Sequence, residues 1–209
     1  MPRNKRSMVF FYGKLLRAMV LVAVVAAALA GYFALSVYIL PHSYQASLVP
    51  RKAAPIVTQV SLPPRVTLGQ SFAIFVNATN DGDEADVQTV SIGFPNFTGT
   101  DSIKVASHNF RQTPMLIIKG KQVGSEYVGA EKPVDAQYAI VEAMSRPWAS
   151  GNSYSITLQV TPETEGRFVA FVKSIALPHN GNQAHWPQEG VLDQQKELVK
   201  VYTVDVAKA

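Results

Sequence analysis

Side chains able to do chemistry gather at three places in the chain. The loop from Pro178 to Gly190, PHNGNQAHWPQEG, holds His179, His185, Trp186 and Glu189. Neutral imidazole and carboxylate oxygen suit zinc or copper(II), so His179, His185 and Glu189 are the metal candidates, at a spacing that matches no metal motif. Trp186 is the candidate partner-binding residue, because long loops often carry an aromatic contact. Around the turn at Asn80, the carboxylates of Asp81, Asp83, Glu84 and Asp86 form an oxygen-rich group of the kind that holds Ca²⁺. The calcium-loop pattern is absent, and a solvated hairpin tip is the preferred reading. Asn77-Ala78-Thr79 and Asn96-Phe97-Thr98 are acceptor triplets for N-glycosylation, with Asn77 on the outward face of a strand and Asn96 in a loop.

Other chemistry is narrowed by what the sequence lacks. There is no Cys, which removes disulfides, thiolate metal sites and cysteine nucleophiles. No nucleophile elbow, zincin helix, phosphate loop or dinucleotide fingerprint occurs. The four His are scattered, so a nucleophile and its base would have to be assembled from unrelated loops. A non-catalytic protein without a cofactor is expected. The formal charge of +4 does not point to nucleic acid either. Residues 1–80 hold eight Lys and Arg and no acidic residue, whereas the other 129 residues hold 11 basic and 15 acidic side chains. A nucleic-acid-binding domain needs its basic face on the folded part.

The N-terminal charge has a different meaning. Residues 18–40, AMVLVAVVAAALAGYFALSVYIL, run for 23 residues without a charge, and a helix of that length reaches across a hydrocarbon core of about 30 Å. Five basic residues precede the run, so the positive-inside rule places the N-terminus in the cytoplasm and the C-terminal part outside the cell membrane. Ala28-Leu29-Ala30 before Gly31 also fits a signal-peptide cleavage site. The apolar run continues for ten residues past Ala30, longer than a signal peptide requires, which favours an uncleaved single-pass anchor. Ala23, Ala27 and Gly31 recur at four-residue spacing and form a small-residue face for packing against another membrane protein. The expected organisation is a basic tail (1–17), a transmembrane helix in the lipid bilayer (18–40), a Pro-rich stalk (41–55) and an extracytoplasmic domain (56–209).

That domain is read as strands. Ile56 to Leu62 alternates with Ile56, Thr58, Val60 and Leu62 on one face, and Ser71 to Thr79 puts Phe72, Ile74 and Val76 on one face before a turn into Asp86 to Phe94. Met115 to Lys119 is a further strand, whereas Val134 to Met144 fits a strand or a short helix equally. After the turn Ser150-Gly151-Asn152, Tyr154, Ile156, Leu158 and Val160 show a strict period of two. Arg167 to Leu177 is apolar on both faces, as expected of a doubly covered central strand, and Glu197 to Val206 is the last strand. Six or seven antiparallel strands in about 150 residues predict an all-β, two-sheet sandwich large enough to bury its own core.

The order Gly-Gln-Ser-Phe, strand, Asn-Ala-Thr-Asn-Asp-Gly-Asp-Glu-Ala, strand, between Leu68 and Val90, and the later Gly-Asn-Ser-Tyr, strand, Pro-Glu-Thr-Glu-Gly-Arg-Phe, strand, resemble the immunoglobulin-like surface modules of archaea and bacteria, CARDB-type domains among them. The resemblance covers about half the domain and departs from compact members through the insert after Phe94 and the loop from Pro178 to Asp193. It implies a non-catalytic domain for binding, adhesion or envelope structure with an extracytoplasmic partner. The alternative is an accessory single-pass subunit of a membrane enzyme or respiratory complex.

Overall fold

The computed structural model describes residues 17–32, 50–123, 134–193 and 196–208, and the chain divides into two units, Met1–Val49 and Pro50–Ala209. In the first unit, residues 17–32 form one α-helix, α1, whose side chains are exposed. Among the described residues no helix is long and apolar enough to cross a membrane. The apolar run 18–40 is described only as far as Tyr32; residues 33–40, like the basic tail before Arg17, lie outside the described residues.

The second unit is built from strands, in chain order β1 (Pro55–Ser61), β2 (Arg65–Thr67), β3 (Phe72–Asn80), β4 (Ala85–Phe94), β5 (Ile103–His108), β6 (Met115–Ile117), β7 (Gln122–Val123), β8 (Val134–Asp135), β9 (Ala139–Ser145), β10 (Ser153–Val160), β11 (Gly166–Pro178), β12 (Ala184–Trp186), β13 (Val191–Leu192) and β14 (Leu198–Ala207). One sheet has the order β1-β3-β10-β5. The other runs β13-β14-β11-β4-β9-β6, with β12 also on β11 and β2 on β14, and β7 and β8 form a separate ribbon. All pairings are antiparallel except that of β2 with β14. First, second and fifth long strands (β1, β3, β10) on one sheet, facing the third, fourth, sixth and last (β4, β9, β11, β14) on the other, is the immunoglobulin-like arrangement.

Alternation decides which side chains meet between the sheets. Ile74, Val76, Ile156 and Leu158 come from the smaller sheet, and Val90, Ile92, Val141 and Val172 from the larger, all at most 1% exposed. Aromatic clusters close both ends. Phe168 has the rings of Phe72, Phe94 and Phe97 at 5.5, 5.9 and 5.5 Å. At the other end Trp148 is 4.6 Å from Tyr154, with Phe110 against both, and its indole Nε1–H donates to the Asn152 carbonyl at 2.8 Å. Packing of this kind holds the unit together where the sequence has no Cys.

Three strand readings changed. β1 carries a bulge between Val57 and Gln59, so Pro55 and Val57 are buried and Thr58 is exposed, the reverse of the simple alternation. The segment from Val134, open between strand and helix, contains β8 and β9. Every residue of β9 is buried because it is paired on both edges and covered on both faces. Residues 50–55, grouped with the stalk by composition, belong to the sandwich: Lys52 and Ala54 carbonyls accept from the Asp83 and Asp81 amides, both at 2.9 Å.

The insert between β4 and β9 shapes both remaining surfaces. It adds β5 to the edge of the smaller sheet and β6 to the edge of the larger. Val123 of β7, with Ala136 and Tyr138 after β8, then joins Ile140, Ile117 and Phe171 in a second apolar cluster.

Candidate binding groove

β5 and β6 end their respective sheets on the same side of the sandwich, and between them lies a cavity of about 460 Å³, within the range of roughly 300–1,000 Å³ usual for ligand clefts. Its apolar lining follows from register. Ile103 and Val105 stand opposite Val160 and Leu158 of β10, on the core-facing side, and Leu116 stands opposite Val141 of β9. Leu116 is nevertheless 40% exposed, because no further strand follows on that edge.

The loop that crosses between the sheets is firmly held. Phe110 is buried against Trp148 and Tyr154. The Asn109 side-chain oxygen accepts from Ser155 N at 2.6 Å, Arg111 N donates to Ser145 Oγ at 3.1 Å, and Gln112 N donates to the Met144 carbonyl at 3.3 Å. The groove is therefore pre-formed, with β5 as its exposed wall.

Lys104 and His108 are the basic side chains in the cavity's lining. Residues 101–123 hold Lys104, Arg111, Lys119 and Lys121 against one acid, Asp101, and all five are exposed. The rest of the chain from Pro50 onward holds ten basic and fourteen acidic residues.

The outer face of the larger sheet carries a second polar group. Lys173, Ser91 and Glu142 lie side by side in register on β11, β4 and β9, and all three are buried. The Lys173 ammonium donates to Asp193 Oδ2 at 2.8 Å and to the Glu197 carboxylate. Asp193 in turn ties the β13–β14 turn through Glu197 N at 3.0 Å. Tyr138 lies across Gly93, where an added Cβ would come within 2.5 Å of its ring. Burial first, then the negative charge of Asp193 and Glu197, raises the Tyr138 phenol above its ordinary value. The cavity here is about 10 Å³, room for about one water. No substrate enters, and the group fastens the outer cover to the sheet.

The residues singled out in the sequence are dispersed. His179 Nδ1 lies 3.0 Å from Asp86 Oδ2, whereas His185 sits on β12 with Nδ1 3.0 Å from the Pro187 carbonyl. Among the described residues no group of three His, Asp or Glu is placed to hold a metal ion. Trp186 is half-buried, packs against the main core and has Lys200 Nζ 5.8 Å from its ring centre. In the acidic turn Glu84 pairs with Arg51 at 3.0 Å and Asp83 Oδ2 accepts from Lys52 N at 2.9 Å. Beneath them the buried Asn80 accepts from Ala54 N and Gly82 N at 3.0 and 3.1 Å. Asn77 is half-buried and donates to Thr58 Oγ1 at 2.8 Å. Asn96 is exposed, but its amide bonds the free edge of β11, accepting from Val169 N at 2.8 Å and donating to the Arg167 carbonyl at 3.3 Å. Ala23, Ala27 and Gly31 are exposed along α1.

Sequence reasoning missed both β5 and the Lys173 group, and each had a signal. Ile103, Val105 and Ser107 alternate with polar or small residues, and Lys173 interrupts an otherwise apolar central strand. A buried ammonium requires a carboxylate partner.

No protein-family model matches the chain, and no curated protein does. Solved structures do. The CARDB domain of a Pyrococcus furiosus protein, crystallised with di-metal ions, is 11% identical, with 74% of this chain and 89% of that one covered at a TM-score of 0.37. An uncharacterised Nocardia farcinica protein with an immunoglobulin-like fold is 10% identical over 71% of this chain and 97% of that one, at a TM-score of 0.39. A Listeria innocua β-glucosidase is 14% identical and matches over 76% of this chain but only 16% of its own length, at a TM-score of 0.36. Likenesses this distant carry no argument about activity, and the immunoglobulin-like assignment rests on the strand order described above.

Proposed function

We propose that the chain is a membrane-anchored, extracytoplasmic immunoglobulin-like module that binds a protein partner and is not an enzyme. The observation that carries this reading is the pre-formed groove between β5 and β6, lined by Ile103, Val105 and Leu116 and open along two strand edges. The uncharged run 18–40 behind five basic residues supports the anchor, with the N-terminus in the cytoplasm. The test is a photo-activated cross-linker placed at Leu116 in the full chain in its own cells, with the same group at Val201 on the other face as control. The reading expects one recurrent protein adduct from Leu116 alone. No adduct, or the same adducts from both positions, contradicts it.

The accessory-subunit reading draws on the exposed Ala23, Ala27 and Gly31 of α1. Native mass measurement of the detergent-solubilised chain separates the two readings. A stable complex with other membrane proteins supports the subunit reading, and a lone chain counts against it.

A further inference from the structure

We infer that Lys173 and Asp193 join covalently: the Lys173 amine attacks the Asp193 side-chain carbon, water leaves, and an amide between side chains fastens β11 to the turn before β14. Lys173 Nζ lies 2.8 Å from Asp193 Oδ2, and the two side chains are 7% and 1% exposed. Tyr138, Ile140 and Val199, all buried, line the small cavity beside them. An ion pair in such surroundings has given up the hydration of both charges. Passing one proton from the ammonium to the carboxylate cancels both charges at once. It also makes the nucleophile, since a neutral amine has the lone pair that an ammonium lacks.

Asp193 presents its two oxygens to different donors. Oδ2 faces Nζ, while Oδ1 accepts from Glu197 N at 3.0 Å. Charge that gathers on Oδ1 as nitrogen adds to the carbon therefore meets a fixed N–H. The turn is held as well, with Asp193 N donating to the Glu197 carbonyl at 2.8 Å and Lys196 N to the Asp193 carbonyl at 3.0 Å. Glu197 supplies the remaining part. Its carboxylate accepts from Nζ and is 32% exposed, so it borders both the buried pair and solvent. It takes a proton from the nitrogen and passes it to the departing oxygen. Of the three ammonium protons one stays on the amide nitrogen and two leave with Oδ2 as water. One C–N bond forms, one C–O bond breaks, and nothing is oxidised or reduced. Groups held in contact react as if at effective concentrations on the order of 10⁵ M or more, and a cavity of about 10 Å³ leaves little room for the water that would reverse the step. Asp193 is the acceptor, rather than Glu197, because it is the buried carboxyl with an N–H on its second oxygen. The bond ties the last strand to the central one in a chain that has no Cys to do so.

Tryptic digestion of the denatured full chain, read by mass spectrometry, tests the bond directly, because trypsin cuts after free lysine and not after acylated lysine. The expected product is Phe168–Lys196, uncut at Lys173 and one water lighter than its sequence mass, with fragment ions placing the loss between Lys173 and Asp193. Lys173→Arg, which keeps the positive charge but has no amine to acylate, is expected to show the full mass. Glu197→Gln is expected to slow formation, followed from synthesis, by at least about tenfold. Cleavage after Lys173 at full mass overturns the inference. So does a loss of water with Lys173 still cleaved, which marks closure of Asp193 onto its own backbone, or a product that carries Glu197–Lys200, which marks a bond to Glu197. Formation at an unchanged rate in Glu197→Gln overturns the part given to Glu197.

Discussion

The insert between β4 and β9 exposes two stretches of sheet, and the chain treats them in opposite ways. On the outer face of the larger sheet, Tyr138 and the turn at Asp193 cover the strands, and the charge left beneath, Lys173, is matched by Asp193 and Glu197. At the side, between β5 and β6, Ile103, Val105 and Leu116 line a cavity of about 460 Å³, with the exposed Lys104 on its wall. Burial of an unmatched charge is far costlier than exposure of a few aliphatic side chains. Once the first surface is covered, the charge beneath it has to be matched for the fold to stand, whereas the second can stay open at little cost.

The contrast breaks most readily at the closed surface. Lys173→Ala leaves Asp193 buried without its cation and is expected to lower stability by about 3–5 kcal/mol, read from denaturant unfolding, whereas Lys173→Met combined with Asp193→Leu loses clearly less. Gly93→Ala pushes a methyl group into the Tyr138 ring and costs about 1–3 kcal/mol in the same assay. A stability close to that of the unaltered chain would show that the cover is loosely held.

Alkaline pH offers a gentler probe of the same cover. The Tyr138 phenol is raised above its unfolded value of 10.0, so the folded chain keeps a proton that the unfolded chain releases. Its contribution is whole below pH 10 and is lost as pH climbs towards the folded value. Unfolding free energy is expected to fall above pH 10, and Tyr138→Phe to flatten that slope. At the open surface the expected change in stability is smallest. Leu116→Arg stays within about 0.5 kcal/mol of the unaltered chain, because its side chain is already 40% exposed.

Long strands were legible because one face of each meets the core and enforces a period of two, as in β3 and β10. Glu142 and the apolar residues around it in β9 sit in a strand buried on both faces, which erases the alternation that separates strand from helix. β5 escaped notice because its outward residues are small or polar and its bulge at Ala106 interrupts the phase. The groove could not be read at all, since it exists only where β5 and β6, consecutive in sequence, end on different sheets. Histidines that share one loop in the sequence serve separate local contacts, His179 with Asp86 and His185 with its own strand end. Asn96 is exposed in its loop as the sequence suggests, and its amide also bonds the edge of β11, a contact that the triplet does not reveal.

Hydrogen–deuterium exchange on the full chain tests most directly whether one surface is open and the other closed. Fast exchange is predicted at alternate amides of Ile103–His108, and slow exchange throughout Ala139–Ser145 and around Lys173. Amides of Ile103–His108 that are all protected, or exchange around Lys173 as fast as on β5, would contradict it.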